Sequence, residues 1–99
     1  MTHVVAIVPA KDNVESISAT VTSLLKTGAI GEVLVVDDGS VDGTGESASK
    51  AGARVIELES NVGKGGAVAA GVASSGAPDN YLLIDADLGD SASHAIELL

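Results

Sequence analysis

The chain has no cysteine, no phenylalanine and no tryptophan, and its only aromatic residue is Tyr81. Without cysteine, neither a disulfide framework nor a thiolate metal site is possible, and the redox compartment stays open. Apolar residues still make up 45% of the sequence, so the core has to be built from valine, isoleucine, leucine and alanine. That composition favours a parallel β-sheet covered by alanine-rich helices.

Basic residues are also scarce: 5 lysines and arginines stand against 14 aspartates and glutamates, which gives a net charge of -9. Such a balance excludes general nucleic-acid binding, which needs a basic footprint. An anionic nucleotide would need a bound cation beside it. No apolar run approaches the ~20 residues of a membrane span, and the first residues do not resemble a secretory signal. We therefore expect a soluble, cytoplasmic protein of one domain, residues 1–99.

The hydrophobic pattern alternates between strand and helix along the whole chain. Strands are predicted at residues 4–8, 33–36, 54–58 and 81–84. Helices are predicted from a cap at Asp12 or Asn13 to Gly28, over 44–51 after a cap at Asp42, over 63–75, and from Ser91 onward. This βαβαβαβα order predicts an α/β fold with a mainly parallel four-stranded sheet. The apolar helical pattern at residues 95–99 leads us to expect a fragment of a longer protein.

Four polar or glycine-rich segments follow the predicted strands, at residues 8–13, 37–44, 61–67 and 85–88. In an open α/β sheet, ligands bind in the crevice outside the carboxyl ends of the strands. These segments bring carboxylates, one lysine and flexible turns to that edge. Their order along the chain predicts a site for a phosphorylated ligand and a divalent metal.

Asp85 and Asp87 are the candidate metal ligands. On an extended segment past a strand, carboxylates at i and i+2 point to the same side, and Mg²⁺ is commonly held by one or two carboxylates together with substrate phosphate oxygens. Asp-x-Asp is a short pattern that also arises by chance. The alternative is that these side chains cap the helix near Ser91 or are simply solvated.

The segments after the second and third strands are candidate ligand loops. Asp37 and Asp38 can accept hydrogen bonds from a base or ribose, while Gly39 lets the loop turn tightly; the alternative is a turn that bonds its own backbone. Lys64 lies at a predicted helix N-terminus, which favours phosphate. The alternative there is a solvent-facing lysine among glycines needed for close packing. At the first strand, Pro9 forces an extended exit that exposes the backbone of Ala10 and Lys11.

Taken together, the four segments resemble those of family 2 glycosyltransferases with the GT-A fold, and the pattern is similar to that of the dolichyl-phosphate mannose synthase-like enzymes. Asp-Asp-Gly-Ser-x-Asp-Gly-Thr, Asn-x-Gly-Lys-Gly-x-Ala and Asp-Ala-Asp-Leu are all present, in the order of the family. Two positions depart from it: Asp12-Asn13 replaces Asn-Glu, and Gly89 stands where a glutamine is usual. The resemblance covers the Rossmann-like, donor-binding half of the family's catalytic domain.

The resemblance implies a role for each segment. It places the nucleotide of a UDP- or GDP-linked sugar against the backbone of Pro9, Ala10 and Lys11, and implies that Asp37 and Asp38, with Gly39, contact its base and ribose. Lys64 and Ala86 would lie near the donor, and Asp85 and Asp87 would bind Mg²⁺ or Mn²⁺. The acceptor site and the catalytic base are expected beyond Leu99.

Other classes of function are open or excluded by the same residues. A non-catalytic half-domain that holds nucleotide and metal is the alternative to a sugar transferase. A dinucleotide-dependent oxidoreductase is rejected because no glycine lies between Pro9 and Asn13. A receiver domain is disfavoured because the acidic pairs follow the second and fourth strands. We also expect self-association through an exposed sheet edge or the last helix.

Overall fold

A computed structural model describes residues 4–76, 78 and 80–89 of the chain. Within them, strands and helices alternate in the predicted order: β1 Val4–Ala10, α1 Val14–Lys26, β2 Glu32–Asp37, α2 Thr44–Ala51, β3 Arg54–Glu57, α3 Gly63–Ser74 and β4 Asn80–Leu83. The helix predicted from Ser91 lies outside the described residues. No helix in the described part of the chain is long and apolar enough to cross a membrane.

The four strands form one parallel sheet in the order β3-β2-β1-β4. From β1 the chain moves outward to β2 and β3, and it then returns to place β4 on the other side of β1. Right-handed crossovers put α1 and α2 on one face of the sheet and α3 on the opposite face. The direction of winding reverses between β1 and β4, so a topological switch point lies at the carboxyl ends of these two strands.

The central strands β1 and β2 are buried on both faces, as their apolar runs predict. Ala6, Val8 and Val33 pack with α1 and α2, while Ile7 and Val36 pack against α3. Parallel strands covered on both faces read as continuous apolar segments, which is why they could be located from sequence.

Helix α3 lies close to the sheet because Gly71 carries no side chain. A Cβ atom at Gly71 would come within 2.9 Å of Ile7 Cγ2 and 3.1 Å of Val36 Cγ2. Both distances are shorter than ordinary van der Waals contact. The expectation that small residues bring this helix against the sheet is therefore confirmed.

Strand β1 runs through Pro9 instead of ending before it. Ile7 O accepts a hydrogen bond from the amide that follows β4, and Ala10 O accepts one from the amide that follows β2. Because alternate residues of a parallel strand bond to opposite neighbours, the nitrogen of Pro9 faces β4, whose pairing with β1 ends at Ile7. The missing N–H therefore interrupts no ladder bond.

Two helix starts differ from the predicted caps. Asn13 precedes α1 but makes no side-chain cap bond, and its Oδ1 accepts from the Lys11 amide at 2.8 Å instead. Helix α2 begins after Gly43, not after Asp42. Asp42 nevertheless accepts from the Thr44 amide at 3.0 Å, so it stabilises the first turn from one residue further out.

Candidate functional site

An open cleft of about 490 Å³ lies at the carboxyl edge of the sheet, at the switch point between β1 and β4. The end of β1, the start of α3 and the segment after β4 form its walls. Of the residues predicted from the sequence, it is lined by Pro9, Ala10, Lys11, Asp38, Lys64, Asp85, Ala86 and Asp87. Parallel strands all end at this edge, so four segments that are far apart in sequence meet there.

Asp37 and Gly39 do not line this cleft. They border a separate hollow of about 200 Å³ on the β3 side of the sheet, together with Glu57. The Oδ1 atom of Asp37 accepts a hydrogen bond from the Ser40 amide at 3.0 Å. Asp37 thus closes its own turn, which was the alternative interpretation for this segment. Adjacent carboxylates at the end of one strand point to opposite sides, so only one of the pair faces the cleft.

Asp38 is that one, and its buried carboxylate binds the loop that begins α3. Its Oδ1 accepts from the Val62 amide at 2.7 Å and its Oδ2 accepts from the Gly63 amide at 2.9 Å. Asn61 Oδ1 also accepts from the Gly63 amide at 2.9 Å. Asp38 therefore fixes the position of the helix start that carries Lys64.

The loops after β1 and β2 are joined by reciprocal hydrogen bonds. The Asp12 amide donates to Ser40 Oγ at 2.8 Å, and the Val41 amide donates to Asp12 Oδ1 at 2.9 Å. Two further bonds reach the start of α1: the Asn13 amide donates to Thr44 Oγ1 and the Val14 amide to Asp42 Oδ2. Asp12 adopts a left-handed backbone, φ 53°, which these contacts compensate. Much of the polar chemistry of these two loops thus rigidifies one rim of the cleft.

Thr44 Oγ1 donates to Asp42 Oδ1. This bond is the main reason that the pKa of Asp42 lies below its ordinary value. Desolvation opposes it, and the Val14 and Thr44 amides lower the pKa further. Each of these donors favours the charged carboxylate. Asp42 is therefore held ionised within the same loop junction.

Lys64 and Asp85 face each other across the cleft as an ion pair. Lys64 Nζ lies 2.6 Å from Asp85 Oδ1, and both side chains are more than half exposed. The hydrogen bond and the charge of Asp85, together with the charge of Asp87, raise the pKa of Lys64. The ammonium group thus occupies a position where two carboxylates favour a cation.

The carboxylate pair fits a hard divalent cation. Aspartate oxygens are the ligands that Mg²⁺ prefers, and Mn²⁺ accepts the same donors. The Lys64 ammonium already shows that a positive charge is stabilised beside Asp85. No cluster of three or more histidine, cysteine, aspartate or glutamate side chains gathers within residues 4–76, 78 and 80–89. A metal held by Asp85 and Asp87 would thus take its other ligands from water or from a bound phosphate.

The structure adds four cleft residues that were not in the predicted set: Asn13, Asn61, Gly63 and Ala67. Asn13, Asn61 and Gly63 lie in the same polar segments as the predicted residues. Their membership of those segments was the signal that could have identified them as cleft residues. Ala67 is fully buried one turn into α3, where a small side chain keeps the floor of the cleft open.

Several solved structures are similar to nearly the whole of this chain. A crystal structure described only as a mycobacterial protein has a TM-score of 0.83 and 29% identity, over 99% of this chain and 35% of that one. Glucosyl-3-phosphoglycerate synthase from Mycobacterium tuberculosis, in complex with Mn²⁺, UDP and glucosyl-3-phosphoglycerate, has a TM-score of 0.84 and 25% identity, over 97% of this chain and 37% of that one. The same enzyme with Mn²⁺, UDP-glucose and phosphoglyceric acid has a TM-score of 0.84 and 27% identity, over 99% and 38%.

The chain spans little more than a third of the length of these structures. No curated protein matches its sequence. The family model for glycosyl transferase family 2 matches residues 5–97, nearly the whole chain. The predicted family and the predicted Rossmann-like GT-A half are thereby confirmed, while the closer similarity to dolichyl-phosphate mannose synthases stays a prediction. The chain belongs to glycosyl transferase family 2.

Proposed function

We propose that this chain forms the donor-binding part of a metal-dependent glycosyltransferase, which transfers a sugar from a nucleoside diphosphate sugar to an acceptor. The observation that carries the proposal is the cleft at the switch point, where Lys64, Asp85 and Asp87 converge beside the end of β1. The structural neighbours crystallised with Mn²⁺ and UDP or UDP-glucose support a divalent metal and a uridine-linked donor.

Different walls of the cleft bind different parts of the donor. The nucleotide lies along the exit of β1, against Pro9, Ala10 and Lys11. Asp38 and Asn61 border the same side. Gly39 and Asp37 support the loop from outside the cleft, so Asp38 is the member of the acidic pair that we assign to the nucleotide. Ala86 lies between the two metal ligands and contributes its backbone to the donor side.

The diphosphate lies at the start of α3. The first turn of this helix contains no acidic residue, and its positive dipole end favours an anion, although the Gly63 amide is already bonded to Asp38 and Asn61. Lys64 adds a full positive charge at the same place. A metal at Asp85 and Asp87 would neutralise charge on the diphosphate as it leaves the sugar. The residues of this chain orient the donor and balance its charge.

The test is a calorimetric titration of the chain with UDP and with GDP, in the presence and absence of Mn²⁺. We expect metal-dependent binding that is tighter for UDP and is lost in Asp87→Asn. The matched control is Glu46→Gln, which removes one carboxylate charge on the exposed face of α2, far from the cleft. Binding of neither nucleotide, or equal binding by Asp87→Asn and the native chain, would refute the proposal.

A non-catalytic half-domain that binds nucleotide and metal is the second candidate. The described residues hold both the nucleotide wall of the cleft and the carboxylate pair, which is all that this candidate requires. The acceptor site and the catalytic base, expected beyond Leu99, stay predictions. Release of UDP from UDP-glucose in the presence of phosphoglyceric acid would support transfer, whereas nucleotide binding without turnover supports the second candidate.

The predicted self-association is also part of the proposal. Strand β4 is at the edge of the sheet, and Tyr81 and Leu83 on it are 40% and 59% exposed. A second copy that pairs along β4 would cover this apolar edge. Sedimentation over a range of concentrations tests it, and a strictly monomeric species would count against it. The cytoplasmic location is a prediction that cell fractionation would test.

A further inference from the structure

A single buried hydroxyl on α1 is bonded to the segment that carries both candidate metal ligands. Thr20 is fully buried, and its Oγ1 donates to the carbonyl of Ala86 at 2.8 Å. The same oxygen accepts from the Gly89 amide at 2.8 Å. Asp87 lies between these two bonded positions. The proposed sugar transfer does not need Thr20 to contact the donor. Its contribution is to the geometry of the segment that carries Asp85 and Asp87.

Neighbouring hydrogen bonds show how the segment after β4 is attached to α1. Ser16, one turn earlier on α1, donates to the same Ala86 carbonyl at 3.0 Å. Among residues 80–89, the turn is closed by a long bond, 3.5 Å, from the Leu88 amide to the Asp85 carbonyl. The bonds from α1 are therefore shorter than the bond that the segment after β4 makes within its own turn, and α1 mainly holds the segment in place. Loops that carry ligands need such support, because a metal site tolerates little displacement of its ligands.

We propose that Thr20 is a positioning residue, which holds the backbone on either side of Asp87 so that Asp85 and Asp87 converge on one cation. The expected effect on metal binding rests on the proposed metal-dependent function. The expected effect on the backbone around Asp87 rests on the two hydrogen bonds made by Thr20 Oγ1. The hydroxyl also lies 3.0 Å from the Ser16 carbonyl, so its hydrogen has a local acceptor if the bond to Ala86 is broken. Among the described residues, the Gly89 amide donates to Thr20 Oγ1 alone.

Thr20→Val tests the proposal, because it keeps the shape of the side chain and removes both bonds. Thr20→Ser keeps the hydroxyl and serves as the rescue variant. Thr27→Val is the control: Thr27 Oγ1 also donates to a carbonyl and accepts from an amide, but at the exposed C-terminal end of α1. The first readout is amide hydrogen exchange at Gly89 and Asp87, measured by NMR. The second is Mn²⁺ affinity in the presence of UDP.

We expect Thr20→Val to speed exchange at Gly89 at least tenfold and to weaken Mn²⁺ binding about tenfold, in line with the usual effect of losing a group that orients a metal ligand. Thr20→Ser should retain most of both properties, and Thr27→Val should lose stability without a change in either. Unchanged exchange at Gly89 in folded Thr20→Val would overturn the proposal, as would a metal affinity that falls equally in Thr27→Val.

The two readouts separate this inference from the proposed function. If the native chain binds no Mn²⁺, the proposed function fails, and exchange at Gly89 still decides whether Thr20 holds the segment. If Thr20→Val does not fold, Ser16→Ala provides the second test, because it removes one of the two hydroxyls on the Ala86 carbonyl. That variant should weaken Mn²⁺ binding less than threefold while Thr20 remains, and a larger loss would assign the positioning role to Ser16 instead.

Discussion

Lys64 Nζ lies 2.6 Å from Asp85 Oδ1, so the ammonium group of α3 and a proposed metal ligand of the segment after β4 form a direct ion pair. A metal ion that binds Asp85 has to replace this contact. Since Lys64 also lines the donor cleft, the released ammonium group is well placed to meet the diphosphate. Metal and donor binding would then support one another through a single side chain.

Lys64→Met should therefore have opposite effects on the two ligands. We expect Mn²⁺ alone to bind up to about fivefold more tightly, because an exposed, solvent-screened ion pair contributes little. UDP should bind more weakly in the presence of Mn²⁺, because a charge near its phosphates is lost. Calorimetry of each ligand measures both effects.

Lys50→Met is the control for Lys64→Met. Lys50 is paired with Glu46 on the exposed surface of α2, so the same change of net charge occurs away from the cleft. If both variants change Mn²⁺ affinity equally, the effect comes from overall charge and not from the contact with Asp85.

The carboxylate of Asp38 should be important for stability as well as for ligand binding. Asp38→Ala removes a buried carboxylate, which leaves the Val62 amide without its acceptor and the Gly63 amide with Asn61 Oδ1 alone. Bonds to a charged group contribute about 1.5–3 kcal/mol, so we expect a loss of that size in the free energy of unfolding by urea. Asp38→Asn keeps one acceptor oxygen and should lose about half as much. A variant as stable as the native chain would contradict the assigned role.

Asp42 gives the loop junction a dependence on pH. The folded-state pKa lies below the ordinary value of about 3.9, so the stabilisation is complete above pH 3.9 and is lost as pH falls through the folded pKa. The native chain should therefore lose more stability than Asp42→Asn between pH 5 and pH 2. Thermal unfolding followed by circular dichroism measures the difference, and parallel curves would show that Asp42 contributes nothing.

Helix α3 offers a matched pair of glycines. Gly71→Ala places a methyl group against Ile7 and Val36, and overpacking of this kind costs about 1–3 kcal/mol. The gain in helix propensity, about 1 kcal/mol, offsets only part of that cost. Gly65→Ala meets no described atom within 4 Å, so it should be neutral or slightly stabilising. Urea unfolding distinguishes them, and equal stability would mean that α3 can move away from the sheet.

Much of the fold followed from the sequence because the central strands β1 and β2 contain continuous apolar runs that end at polar segments. Glycines that follow α1 and α2 marked where those helices stop. The order of the strands in the sheet was not predicted, since β4 pairs with β1 through contacts that no local pattern encodes.

The roles of polar side chains were harder to predict than their places. Asp37 and Asp38 are adjacent, yet one closes a turn and the other holds α3. Thr20 lies among the buried apolar residues of α1, while the apolar residues Val14 and Leu25 of the same helix are about a third exposed. A hydroxyl in the middle of a buried helix face was the one local sign that a distant backbone segment needed a partner.

The position of β4 has a consequence for how the cleft is assembled during synthesis. Strands β1, β2 and β3 can pair as soon as they emerge, because each neighbour in the sheet is also a neighbour in sequence. The other edge of β1 stays unpaired until nearly all of the described chain has been made, and both proposed metal ligands arrive only after β4. The N-terminal part of a chain leaves the ribosome first. The nucleotide wall of the cleft can thus exist in the nascent chain before the carboxylate pair does, and the arrival of the last strand completes the site.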